Sequence, residues 1–437
     1  MSTLQDRLED LATAAPSGGA APGDLWERGV RRGRARRAGT VATVAATVAL
    51  VAGATVVLGN PDRGEPQPAD VPFEELHLPE VVHAPGTWSD EEGPDGPLAA
   101  VGVAPRTTPE GLTGERGGLE LFGVSAVDGR SQWLDLPGID EDDRPVIGWF
   151  ALSPDGRKLA WTRHLPGRRP DTNGPLTGWS VMDTTTREVL ELADPAAPRL
   201  QETASDLEFS GDSRYLLTSY EQRGGPRTRG HQFVAWNVAD GTPTLLEGPG
   251  HYWLPNLGSA PSDVVWSRKR MVYRADPATG ARSSYSLPQE VITASWAPDD
   301  RGFAYIGRDG DVRGGPWRLY AGRTLAGARD RVIPVEDLDP AQLLGWRDTR
   351  HVVVGRFRST VHVVDIVTGE VVEYRMGGEG DQVNSPKLAG DLWRNALITP
   401  PEPEGTSDPR TPFLWGGGVV VVALAGALML RRRRRRA

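Results

Sequence analysis

The side chains able to do chemistry in this 437-residue chain are seven histidines, three lysines and several groups of carboxylates. His77, His83, His164, His231, His251, His351 and His362 are scattered along the sequence, and no pair has the i, i+4 spacing that lets two imidazoles on one helix face share a zinc ion. Lysine occurs only at Lys158, Lys269 and Lys387, which removes most amine-based mechanisms. With no cysteine, disulfides, thiolate metal sites and thiol nucleophiles are excluded together. Acidic clusters at Asp90-Glu91-Glu92, at Asp140-Glu141-Asp142-Asp143 and at Asp309-Gly310-Asp311 offer oxygens for calcium. None has the D-x-[DN]-x-[DN]-G spacing that wraps successive oxygens around one ion, so solvated loops explain them more simply and calcium binding is left open. No G-x-S-x-G elbow, H-E-x-x-H pair or phosphate-cradling Gly-Lys-Ser/Thr loop is present. No catalytic, cofactor or metal-ligating residue is assigned, the binding residues stay unknown, and the chain reads as a non-enzyme.

The remaining carboxylates recur, and the recurrence shows what must position them. Ser153-Pro-Asp-Gly-Arg-Lys-Leu-Ala-Trp161, Ser210-Gly-Asp-Ser-Arg-Tyr-Leu-Leu-Thr218, Ala297-Pro-Asp-Asp-Arg-Gly-Phe-Ala-Tyr305 and Trp346-Arg-Asp-Thr-Arg-His-Val-Val-Val354 align. Asp155, Asp212, Asp299 and Asp348 share one place, and Arg157, Arg214, Arg301 and Arg350 follow two residues later. A second set is Ser125-Ala-Val-Asp-Gly129, Asp183-Thr-Thr-Thr-Arg187, Asn237-Val-Ala-Asp-Gly241, Asp276-Pro-Ala-Thr-Gly280 and Asp365-Ile-Val-Thr-Gly369. In such turns an Asx or Ser oxygen accepts backbone N–H groups, and a final Gly supplies positive φ. Residues that recur with a repeat scatter around the fold, so a structural role outweighs a catalytic one. Trp179 and Trp253 are candidates for partner anchors if exposed, with packing between repeats as the plainer role.

No amphipathic helical run lasts beyond about two turns between residues 75 and 396, and short Val, Trp, Tyr and Leu runs broken by Gly, Pro and Asp predict an all-β domain. The interval from Asp276 to Asp365 is about twice the others. One turn has therefore lost its signature near Trp317 to Arg331, and units average about 48 residues. Repeats of that length with two hairpin turns are four-stranded, and stacking them about an axis gives a β-propeller of about six blades. A ring must close, and the stretch holding Leu388, Leu392 and Trp393 is expected to lend a strand to the first blade.

The Ser153–Trp161 stretch and its three relatives resemble the WD-repeat-like repeats of the TolB-type β-propeller family over roughly residues 75–396. The resemblance implies an extracytoplasmic domain that binds other proteins, and in some relatives caps a peptidase. This chain departs from TolB, which is soluble in the periplasm and carries an extra domain before its propeller. Here a stalk, an apolar block and a short tail follow the propeller, leaving no room for a hydrolase domain. Sialidase Asp boxes need Gly two residues after Asp, whereas Gly156 follows Asp155 directly.

Two apolar blocks flank the repeats. Residues 38–59 lack charge, and about 22 residues at roughly 1.5 Å each cover on the order of 33 Å, enough for a bilayer core. Residues 413–430, about 18 residues, reach on the order of 27 Å. Arg31, Arg32, Arg34, Arg36 and Arg37 precede the first block and Arg431 to Arg436 follow the second, which predicts both ends cytoplasmic and residues 60–412 extracytoplasmic at a cell membrane. A cleaved signal peptide fits poorly with so long a basic head, a wall-sorting signal lacks its LPxTG-type sequence, and a buried core helix has nowhere to put six arginines. Ala49 with Gly53 and Ala423 with Ala427 would let two spans pack closely, although an alanine-rich composition also explains them.

The expected organisation is thus a cytoplasmic segment 1–37, a span 38–59, a Pro-rich acidic stalk 60–74, the propeller 75–396, a second stalk 397–412, a span 413–430 and an Arg tail 431–437. Capping boxes at Ser2–Gln5 and Asp24–Glu27 predict two short helices in the first segment, joined by a Gly- and Pro-rich linker. The chain carries −9 overall, and the middle is more acidic still once the basic ends are set aside, which discourages nucleic acid as a partner. The function read from these features is a membrane-anchored scaffold that binds a protein or cell-envelope component. The alternative is a transmembrane regulator, resembling membrane-bound anti-sigma factors in outline, whose residues 1–37 engage a cytosolic protein; the Cys and His motif of the zinc-containing ones is missing.

Overall fold

Runs of β-branched and aromatic residues ending in Asx and Gly turns fold as strands throughout. The computed structural model describes residues 71–89, 92–110, 114–137, 150–164, 175–194, 200–202, 207–222, 231–251, 256–308, 315–334, 340–355, 360–376, 386–403, 407–408 and 410–411. The chain divides into two units, Met1–Pro66 and Gln67–Ala437, and the described residues all belong to the second. Among them no helix is long and apolar enough to cross a membrane. Both expected spans and both expected cytoplasmic segments lie outside the described residues.

In chain order, β1 (Glu92–Gly93), β2 (Leu98–Glu110), β3 (Gly114–Ser125) and β4 (Ser131–Leu134) come first. Next are β5 (Phe150–Leu152), β6 (Lys158–His164), β7 (Pro175–Asp183) and β8 (Val189–Leu192), then β9 (Leu200–Glu202). β10 (Glu208–Phe209), β11 (Tyr215–Gln222), β12 (His231–Asn237) and β13 (Pro243–His251) follow, and after them β14 (Asn256–Ser259), β15 (Val264–Arg268), β16 (Met271–Ala275) and β17 (Arg282–Ser286). β18 (Glu290–Trp296), β19 (Phe303–Arg308) and β20 (Arg318–Gly322) lead to a short helix, α1 (Leu325–Ala328). The chain ends with β21 (Gln342–Trp346), β22 (His351–Gly355), β23 (Thr360–Asp365), β24 (Val371–Arg375) and β25 (Lys387–Leu388).

These strands make an all-β, propeller-like arrangement with few helices, in four sheets of five, nine, seven and four strands. The count by sheets is about four, not the six separate blades expected, and the reason is edge pairing. β9 pairs with both β7 and β11, joining two hairpin runs into one nine-stranded sheet. Ser259 of β14 pairs in parallel with Ser295 of β18, and the two hydroxyls are 2.7 Å apart, which joins two more runs. The stretch without a turn signature is also visible. After β20, Thr324 caps α1 by accepting the Gly327 N–H at 3.1 Å, and Val332 makes only an isolated bridge to Tyr320.

Consecutive buried residues show how the sheets pack. Phe303 to Ile306 and Val352 to Val354 are all buried, and because successive side chains point to opposite faces, both faces of these strands are covered. Trp179 lies between Tyr220 and Trp236, with ring centroids 5.3 and 5.7 Å away. It is packing, not a surface anchor. Two buried indoles find partners: Trp236 Nε1 donates to Thr218 Oγ1 at 2.8 Å and Trp346 Nε1 to Ser295 Oγ at 2.9 Å, whereas Nε1 of Trp133, Trp161 and Trp393 has no hydrogen-bond partner among the described residues.

Closure of the first sheet falls to the far end of the chain. β25 pairs antiparallel with β2, Ala100 opposite Leu388 and Val101 opposite Lys387, on the edge that β3 leaves open. The turn that follows, Gly390–Arg394, buries Leu392 and Trp393. Outgoing and incoming segments then run side by side. Asn395 Nδ2 donates to the carbonyls of Phe73 and Leu76, Ile398 N–H donates to Leu78 O at 3.0 Å, and Ile398 O accepts from Glu80 N–H at 2.8 Å.

Candidate functional site

The two sets of turns gather a series of charged side chains. In the first set, Asp155 Oδ1 accepts from Arg157 N–H at 3.1 Å and from Ser153 Oγ at 2.6 Å, while Ser153 Oγ accepts from Lys158 N–H. Asp212 repeats this with Ser210, Arg214 and Tyr215. Asp299 and Asp348 accept from Arg301 and Arg350 N–H without a serine. In the second set, Asp183, Asn237, Asp276 and Asp365 each accept backbone N–H groups two or three residues on. The left-handed position five residues into each turn is Gly129, Arg187, Gly241, Gly280 or Gly369. At least one oxygen of each of these carboxylates is therefore occupied by its own turn.

Antiparallel alternation brings both sets to one end of the strands, here named the turn end. Hydrogen bonds lock one set to the other: Arg157 O accepts from Thr184 N–H, Arg214 O from Val238 N–H and Arg350 O from Ile366 N–H. Arginine side chains add links. Arg274 bonds Asp263 and, at 2.7 Å, Asp300 of the next turn, and Arg187 bonds Asp95.

His351 is held between two carboxylates. Its Nδ1 lies 2.8 Å from Asp348 Oδ2, its Nε2 lies 3.9 Å from Asp365 Oδ2, and Arg350 bonds Asp365. The Arg350 guanidinium and the N–H groups of Val367 and Thr368 hold the Asp365 carboxyl well below the usual range. Burial pushes Asp348 up, but donors from Arg350 and His351 outweigh it, and its pKa falls. Oδ1 of Asp348 and of Asp365 each accepts two turn N–H groups, Asp365 Oδ2 takes the Arg350 guanidinium, and among the described residues no hydroxyl bonds the ring. The other histidines do not join it. His77 Nδ1 donates to Ala396 O at 2.9 Å, His362 is buried in β23, and His164 ends β6. His231 and His251 are cross-strand partners in β12 and β13, a juxtaposition that their sequence separation hides. Among the described residues, no group of three or more His, Cys, Asp or Glu is placed to hold a metal ion. Of the acidic clusters only Glu92 is described, in an ion pair with Arg106 at 3.4 Å; Asp140–Asp143, Asp309–Asp311 and Trp253 lie outside the described residues.

Two groupings escaped the sequence. Asp391, in the turn after β25, donates its N–H to Pro154 O and is pushed up by burial and by Asp155, against the pull of Arg394 2.9 Å away. Arg410, at the far end of the outgoing segment, donates to Gly114 O at 2.6 Å, to Glu115 Oε1 at 2.9 Å and to Asp408, and lies over the Trp88 ring at 5.1 Å. Its N–H also bonds Asp408 Oδ1 at 2.8 Å, the same Asp-x-Arg bond as in the repeat turns. That shared spacing was the available signal.

No family model matches the chain, and a search of curated proteins finds no match. Among solved structures, a chain in one titled "Crystal Structure of Mitotic Checkpoint Complex" is similar at 14% identity and a TM-score of 0.36, covering 55% of this chain and 69% of that one. At that level the likeness decides nothing about function, and no family match supports the resemblance of the repeats to the TolB type.

Proposed function

We propose that the chain is a non-enzymatic, membrane-anchored, extracytoplasmic β-propeller of TolB-like type that binds a protein or cell-envelope partner. The single observation that carries this is the use of the recurring Asp and Arg residues. All four aspartates of the first set accept the N–H of the arginine two places on, so the residues with the most chemical potential build the scaffold. A propeller-like ring with its polar groups committed to turns offers rigid surface, which suits recognition.

Six units remain the preferred count. The nine-stranded sheet contains two hairpin-linked runs, β5 to β8 and β10 to β13, and the seven-stranded sheet contains β14 to β17 and β18 to β20. With β21 to β24 and the closing sheet these make six. Anchoring by residues 38–59 and 413–430, with both chain ends cytoplasmic, rests on the apolar blocks and their arginine flanks.

The test is crosslinking on intact cells with a membrane-impermeant reagent, followed by recovery of the full chain from detergent. A reproducible envelope or secreted partner is the expected result. Failure of the reagent to reach residues 60–412 would remove the topology, and an absence of partners from a folded, accessible chain would remove the binding role. Deleting residues 2–22 addresses the regulator alternative: altered signalling with normal insertion would replace the scaffold reading with that one.

A further inference from the structure

The incoming and outgoing ends of the propeller lie at opposite ends of its first sheet. Arg157 Nη2 donates to Val71 O at 2.6 Å, and Leu98 N–H donates to Gly156 O, so Val71 sits by the start of β2 at the turn end. Arg410 instead bonds Gly114 and Glu115, beside the end of β2, where Glu110 is paired with Gly114. β2 has 13 residues. At about 3.4 Å per residue, the two positions are separated by roughly 40 Å.

The outgoing segment touches the sheet near both ends of that length. Pro400 lies by the β3–β4 turn, where a Cβ added to Gly129 would be 3.2 Å from its Cα, and Arg410 lies at the other end of β3. Ten residues at up to about 3.6 Å each reach roughly 36 Å, close to the length of the hairpin, and at Arg410 the chain is held to that hairpin. Arg410 is 9% exposed, and Asp408, Glu115, Gly114 O and the Trp88 face enclose its guanidinium. Phe413, the first residue of the apolar block, is only three residues further on, about 10 Å of chain.

We propose, building on the membrane-anchored reading above, that the β2–β3 hairpin end of the propeller rests at the lipid headgroups and the turn end faces away from the bilayer. Arg410 sets this orientation, because it leaves no free tether between the hairpin and the apolar block. The surface offered to a partner is then the turn end, with its interlocked Asp and Arg turns.

The absence of cysteine makes the test clean. Glu110→Cys at the hairpin end and Ala278→Cys at the turn end, each in the full chain reconstituted in phosphatidylcholine vesicles, are labelled with an environment-sensitive fluorophore. Lipids carrying a nitroxide on the headgroup are then added. The expected result is strong quenching of the label at position 110 and none at position 278, with the first weakened when Arg410→Ala is added. Equal quenching at both sites, or the reverse order, overturns the orientation. Undiminished quenching at position 110 in the Arg410→Ala background overturns the pinning role. Release of the unlabelled chain from membranes by alkaline carbonate would overturn the anchored reading itself, and that outcome is recognisable before any label is read.

Discussion

The chain holds itself together by one device along the repeats and by another where they meet. Between β5 and β6, or β10 and β11, a short covalent turn joins the strands and its Asp, Ser and backbone groups bond one another within six residues. Between β25 and β2 no local turn exists. Their pairing depends on packing of Leu392 and Trp393 and on the side-by-side run of residues 71–80 with 395–399. Closing so long a loop costs more entropy than closing a hairpin, so the closing contacts must return more per residue. The repeat turns can lose a side chain and survive, as Ala297 and Trp346 show by standing where Ser153 and Ser210 stand elsewhere. The closing region has no second copy of itself.

Trp393→Ala tests this difference most severely. The ring is 2% exposed and packs near Tyr374 of β24, so truncation should cost about 3–5 kcal/mol in denaturant unfolding. A loss below about 1 kcal/mol would move the closure elsewhere. Asn395→Ala comes next. Its amide donates to two incoming carbonyls at 2.8 and 2.7 Å, and leaving both without it should cost about 1–3 kcal/mol. Amide exchange near Leu76 and Leu78 should quicken in that variant while the strands β14 to β17 stay protected.

The repeat turns predict smaller effects. Ser153→Ala and Ser210→Ala each remove a hydroxyl that bonds an Asp and a backbone N–H, and each should cost about 1 kcal/mol. The converse is sharper. Ala297 N–H bonds Gly302 O as Ser153 N–H bonds Lys158 O, so Ala297→Ser should place its hydroxyl between Asp299 and the Gly302 N–H and raise thermal stability slightly. Loss of stability there would show that the third turn differs in more than one side chain.

The same contrast explains what the sequence disclosed. Both turn sets, the strand content, the missing turn near Trp317 and the closing strand at Leu388 were readable, because each depends on a few consecutive residues. Edge pairing was not. β9 joins two runs through Leu200–Glu202, whose neighbours come from separate hairpins, and nothing local in that tripeptide announces a partner. The pairing of His231 with His251 and the capture of Arg410 by Gly114, Glu115 and Trp88 are likewise long-range. Only the Asp408-x-Arg410 spacing hinted at the last, and it lay in a Pro-rich segment that composition alone describes as a stalk.

The subtlest difference is in protonation. In the repeat turn, Arg350 and turn N–H groups favour the charged form of Asp365, so its folded pKa lies below the unfolded one. Its contribution is present above the ordinary aspartate range and is lost as pH falls towards the folded value. In the closing turn, burial and Asp155 disfavour the charged form of Asp391, and its folded pKa lies above the unfolded one. That group favours the fold fully below the ordinary aspartate range, and the benefit is lost as pH rises through its folded value. Asp365→Asn should therefore lower the thermal midpoint at pH 7, with the deficit shrinking under acid. Asp391→Asn should raise the midpoint at pH 7, because it keeps the uncharged form that burial prefers, and should match the parent below about pH 3.9, where both forms are neutral. Midpoints for the two variants and the parent from pH 3 to 8 should diverge in opposite directions as pH rises. If both variants fall together at pH 7, the Arg394 ion pair governs Asp391, and the closing turn is held by the same charge-pairing as the repeats.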